Sequence, residues 1–135
     1  HLRTRRQRQM CIRDSHDVME LIKNSEKNGC KVFIAAAGMA AHLAGAIAAH
    51  STKPVIGIPI ESGGMGGIDS LLSTAMMPPG VPVATVAVGK SGAKNSAILA
   101  VQILATSNDD LARKLKDFKE NMRAEVLEKD KKLNS

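Results

Sequence analysis

The stretch KVFIAAAGMAAHLAGAIAAHSTKPVIGIPI, residues 31–60, decides the fold. Residues 31–37 are an almost unbroken apolar run closed by Gly38. A run of that length between turn residues reads as a strand buried on both faces. Residues 40–50 follow as an Ala-rich helix, and residues 54–60 (PVIGIPI) as a second buried strand. Strand, helix, strand is a βαβ unit, which pairs its strands in parallel through a right-handed crossover.

Outward from this unit the alternation continues. Beyond the glycine-rich loop ESGGMGG (61–67), residues 68–76 read as a short helix stopped by Met77-Pro78-Pro79-Gly80. Residues 82–88 (PVATVAV) read as a third buried strand, and a helix is expected over 93–105 after Gly89-Lys90-Ser91-Gly92. A last amphipathic helix is expected over 108–128, with Leu111, Leu115, Phe118, Met122 and Val126 at helical spacing. Residues 129–135 are expected to fray. Toward the other end, residues 16–28 read as a helix burying Val18, Leu21 and Ile22, capped by Asp14 or Ser15 and ended by Asn28-Gly29. The order predicts a three-layer α/β/α sandwich on a parallel sheet, flavodoxin-like or Rossmann-like, plus a C-terminal helix.

A chain of 135 residues fits one domain. With two Phe and no Trp or Tyr, its core must be packed from Ala, Ile, Leu, Val and Met, so the layers lie close. The formal charge of +6 is uneven: five Arg against one Asp in residues 1–15 supply +4 of it. The domain itself is near neutral and carries no aromatic platform for stacking bases, which argues against a nucleic-acid partner. Cys11 and Cys30 form neither a C-x-x-C nor a zinc pattern, so a reducing cytoplasm is the default. No apolar run approaches a membrane span, and no signal-peptide stretch follows the basic start.

In a parallel sheet ligands sit at the carboxyl ends of the strands. Three loops therefore matter, after residues 37, 60 and 88. The first, Ala37-Gly38-Met39-Ala40 with His42 and Leu43 behind it, leaves backbone N–H groups open to a carboxylate or other anion at a helix start. A plain strand-to-helix turn would use the same residues. The second loop lacks the spacing of either glycine-rich phosphate motif, and Asp69 and Ser70 are expected to cap the helix behind it. The third offers Lys90 and Lys94, for a phosphate, a second subunit or simply solvent. His16 and His50 fall at helix ends and read as capping or solvated groups. No carboxylate pair and no Ser-His-Asp or Cys-His arrangement emerges.

Residues 31–104 carry a further pattern. A strand leading into A-G-M-A-A-H-L-A-G, then P-V-I-G-I-P, then GGIDSLLSTAMMPPGVPVATVAVG, then GAKNSAILAVQILA resembles the class I 5-(carboxyamino)imidazole ribonucleotide mutases, the PurE family. The resemblance implies a purine-biosynthetic isomerase that moves a carboxylate from an exocyclic nitrogen to ring carbon C4 by decarboxylation and recapture. It implies no metal or organic cofactor, a ribonucleotide substrate, and a cytoplasmic homo-octamer with sites at subunit boundaries. Ala37, Gly38, Met39 and Ala40 then match the loop lining the carboxylate pocket, and His42 and Leu43 its A-H-L element. Asp69 and Ser70 are further candidates. The A-A-H-L element favours the mutases over the related carboxylases that use free carbon dioxide.

The departures lie before residue 16. The family opens with a strand, a Gly-Ser-x-Ser-Asp loop, a helix and a strand ending in Ser-Ala-His-Arg-Thr-Pro, whose His shuttles the proton. Ungapped alignment sets residues 10–15 against that motif, with Ile12 in the His slot and Arg13 opposite its Arg. Residues 1–15 read as a basic segment foreign to the family, artefactual or unstructured, ahead of a partial mutase domain over 16–128. The chain is therefore expected to be inactive and prone to aggregate. A non-catalytic nucleotide- or carboxylate-binding homologue is the other reading.

Overall fold

The structure, a computed structural model, describes residues 15–39 and 42–134. The basic segment up to residue 14, with Ile12 and Arg13, and the pocket residue Ala40 lie outside the described residues. Eight elements follow in the expected order: α1 (Ser15–Lys27), β1 (Phe33–Gly38), α2 (His42–His50), β2 (Val55–Ile60), α3 (Ile68–Ala75), β3 (Ala84–Thr85), α4 (Lys90–Ala105) and α5 (Asp109–Leu133). The strands form one parallel sheet in the order β1-β2-β3. The register runs from Phe33 opposite Val55 to Gly38 opposite Ile60, and pairs Ile56 with Ala84.

Alternation along β2 sorts the two faces. Val55 joins Val18, Ile22, Ala35, Ala44 and Ile47 in the main core, where α1 packs on α2 and α2 covers β1 and β2. Gly57 faces the same way, because a Cβ there would meet side chains of Ala44, Thr74 and Val83. Ile56 and Ile58 point to the other face, and both are buried; α4 packs on β2 and carries α5 on its outside. The structure thus has helices on both sides of a parallel sheet, as the alternating sequence pattern requires.

Four expectations are corrected. β1 is not buried on both faces: Ile34 is 45% exposed and Ala36 is exposed as well. The reason is that α4 is seated on β2 and only its margin reaches β1. The third strand, expected over 82–88, is reduced to Ala84–Thr85. Here the cause is Pro59. Gly57 turns its polar groups toward β3 and accepts from the Val86 N–H at 3.1 Å. The next residue facing that way is Pro59, which has no N–H to offer the following carbonyl. The ladder stops, and the chain rejoins only when the Gly89 N–H reaches the Pro59 carbonyl at 2.9 Å.

α4 begins at Lys90 rather than 93, so Lys90, Ser91 and Gly92 belong to its first turn. Gly89 precedes it with φ 76°, a conformation suited to glycine, and its carbonyl accepts from the Ala93 N–H at 3.0 Å. Last, α5 stays helical to Leu133 where fraying was expected. The Asn108 side chain caps its start by accepting from the Leu111 N–H at 3.0 Å, and Lys132 pairs with Glu128 near its end.

Gly92 shows how closely α4 presses on the preceding chain. A Cβ there would run into the Ala87 backbone carbonyl. Alanine in place of glycine inside a helix ordinarily adds up to about 1 kcal/mol. Here the sign reverses, and Gly92→Ala is expected to cost ~1–3 kcal/mol through overpacking. A lowered thermal midpoint by circular dichroism checks it; a raised one would mean that α4 can lift off freely.

Candidate functional site

The carboxyl ends of the strands bring three loops together. β1 ends at Gly38, and Met39 follows with φ 49°, the one non-glycine residue with positive φ among those described. That conformation is costly for a side chain with a Cβ and needs a compensating contact. Ser62 supplies it. The Met39 N–H donates to Ser62 Oγ at 2.7 Å, joining the first loop to the second across a sequence separation of 23.

Glycine at 38 is what permits this approach. A Cβ at Gly38 would strike Ser62 Oγ, and would sit 3.0 Å from Ser62 Cβ and 3.4 Å from the Ile60 carbonyl oxygen. That carbonyl is itself tied to the next element, because buried Ser70 donates its hydroxyl to it at 2.8 Å. The second loop then turns on Gly63, Gly64, Gly66 and Gly67, all with positive φ. A Cβ at Gly67 would lie 2.5 Å from Val88 Cγ1, so the second and third loops also pack without room between them. With the Gly89 N–H on the Pro59 carbonyl, all three loops are fastened to the end of β2.

The expected residues distribute unevenly around this cluster. Ala37 and Gly38 close β1, both half-buried, and Met39 is exposed at 62%. His42 opens α2 and is exposed, while Leu43 turns inward and packs against the main core. Asp69 and Ser70 do not cap α3. Gly67 stands at that position in a left-handed conformation with no side-chain cap, because Ser70 is drawn back to β2 instead. Asp69 Oδ1 is shielded from solvent and has no hydrogen-bond partner among the described residues. Lys90 and Lys94 lie exposed on the first two turns of α4.

Ser62 was not singled out from sequence. Its only signal is a hydroxyl placed between a strand end and a run of glycines. His16, Asp17 and Glu20 bring possible metal-ligand atoms within 4.8 Å of one another, but all three are exposed on the first turns of α1. His50 ends α2, exposed.

What this arrangement offers chemically is a small, backbone-lined turn with glycine and alanine on its walls and one hydroxyl inside. Such a turn leaves room for a small anion, with the Met39 N–H already given to Ser62.

The family model described as AIR carboxylase matches residues 10–125. The chain is 51% identical over 111 residues to the N5-carboxyaminoimidazole ribonucleotide mutase of Bacillus subtilis (strain 168), a match covering 82% of this chain and 68% of that protein. It is 54% identical over 110 residues to the mutase of the same name from Saccharolobus solfataricus, again covering 82% and 68%. Against the Escherichia coli (strain K12) mutase it is 50% identical over 106 residues, covering 78% and 63%. The chain thus spans about two thirds of the length of these relatives. With that family model matched over most of the chain and relatives about 50% identical, the chain belongs to the AIR carboxylase family.

Proposed function

We propose that the carboxyl end of this sheet binds an aminoimidazole ribonucleotide. In that reading the Ala37–Leu43 segment receives the carboxylate which the mutases of the family move from nitrogen to carbon in purine biosynthesis. The observation that carries it is the Gly38–Met39 turn, held open by Ser62, in a chain about 50% identical to curated mutases. The mechanism is decarboxylation to a trapped carbon dioxide followed by recapture at C4. The small residues Ala37 and Gly38 support it, because they leave room at the end of β1 for a molecule of that size.

The surroundings fit a homo-oligomer, an octamer by resemblance. Along α5 the apolar residues Met122, Val126 and Leu127 are about half exposed or more, as an interface between copies would require. The cytoplasm is the compartment this reading implies. Among the described residues no helix is long and apolar enough to cross a membrane.

Ile12 favours a second reading, in which the chain binds the nucleotide without converting it. A carboxylase using free carbon dioxide is a third, and the A-A-H-L element speaks against it.

Binding of 4-carboxy-5-aminoimidazole ribonucleotide, followed by calorimetry, tests the shared part of these readings. Gly38→Ala should weaken it roughly tenfold, since the added methyl meets Ser62 and overpacking is worth ~1–3 kcal/mol. Equal affinity in the two proteins would move the site elsewhere.

A further inference from the structure

We infer that Ser62 is a carboxylate-binding residue, donating its hydroxyl hydrogen to the carboxylate received by the Gly38–Met39 turn. The inference rests on the proposed reading of that turn and adds a residue from the neighbouring loop. A serine hydroxyl has one hydrogen to give and two lone pairs. One lone pair of Ser62 takes the Met39 N–H at 2.7 Å. Among the described residues the hydroxyl hydrogen meets no acceptor.

An oxygen already accepting from an N–H is polarised and becomes a better donor. Its position is constrained from both sides. The Met39 backbone, at φ 49°, donates to it directly, and Ser62 occupies the space a Cβ at Gly38 would take. A donor fixed at the end of β1 selects an acceptor-only group, which a carboxylate is. A neutral imidazole edge would gain nothing comparable. The residue's place at the end of β2, with its backbone fastened through Ile60 and Ser70, keeps the hydroxyl in register with β1.

Two ligands separate this role from a structural one. The probes are 4-carboxy-5-aminoimidazole ribonucleotide, which carries the carboxylate, and 5-aminoimidazole ribonucleotide, which lacks it. With Ser62→Ala, affinity for the carboxylated nucleotide should fall roughly 10- to 100-fold, the range for a hydrogen bond to a charged group. Affinity for the uncarboxylated nucleotide should fall far less, by what the lost Met39 contact alone costs the turn, and Ser62→Thr, which keeps the hydroxyl, should restore binding of the first.

Equal losses for both nucleotides would make Ser62 a scaffold of the turn and overturn the inference. No loss for either would do the same. If the unaltered chain binds neither nucleotide, the reading of the site fails, and this assignment fails with it. Circular dichroism on the two variants distinguishes loss of fold from loss of the donor.

Discussion

Given 5-(carboxyamino)imidazole ribonucleotide, this 135-residue polypeptide is expected to turn over roughly a hundred- to ten-thousand-fold more slowly than the Bacillus subtilis mutase. The reason is proton accounting. Moving the carboxylate from the exocyclic nitrogen to C4 leaves one proton to be taken from carbon and one to be returned to nitrogen. A positioned side chain that performs such a transfer contributes that much rate. In the aligned slot stands Ile12, whose side chain has no titratable atom. In the proposed reading the Gly38–Met39 turn holds a charge but moves no proton. A single-turnover assay with product separation checks the point. A rate like that of the relatives would mean that another group carries the proton, and His42 at the start of α2 would be the first to replace by Asn.

The second large effect concerns stability. Ile56→Ala is expected to cost about 2–5 kcal/mol, a large part of the ~5–15 kcal/mol that holds a domain of this kind together. Ile56 is fully buried in the central strand, on the face covered by α4, and is among the largest side chains so enclosed. Removing its three outer carbons leaves a hole that β2 closes poorly, because the opposite face of the strand is packed so closely that a Cβ at Gly57 would meet Thr74 and Val83. Its register partner Ile34 provides the control. Ile34 is 45% exposed, so the same truncation there should shift the urea midpoint much less. The chain has no Trp or Tyr, which makes helical circular dichroism the signal to follow. Equal shifts at both positions would show that α4 does not seal its face of β2.

The element order was legible because apolar runs and glycine or proline stops follow one another along residues 31–60 and onward. Each element announces itself within its own window. The length of the third strand was not legible in that way. PVATVAV is a sound strand on its own terms, and it is cut short by a proline in a different strand, two residues past the last pairing of Gly57 with Thr85. Only the register reveals the conflict. The exposure of Ile34 and Ala36 was hidden for a similar reason, because burial of β1 depends on where α4 comes to rest.

The candidate site divides along the same line. Small residues in Ala37-Gly38-Met39 mark the first loop directly, since the motif is contiguous. Ser62 became visible only when the structure set it against Met39. Asp69 and Ser70 looked like caps because of their place at the start of a helix, and Ser70 instead spends its hydroxyl on the Ile60 carbonyl.

The interrupted ladder at Pro59 also decides which way α4 faces. Between their two hydrogen bonds, β2 advances from Gly57 to Pro59 while its neighbour advances from Val86 to Gly89, one residue more. Each residue of a helix turns it by about 100°. The surplus residue therefore sets the rotational phase at which α4 leaves the sheet, with Gly92 and Ser96 turned inward. A chain shortened by Ala87 would not slide α4 along its axis so much as roll it. These two small residues would leave the interface and bulkier ones would arrive in their place.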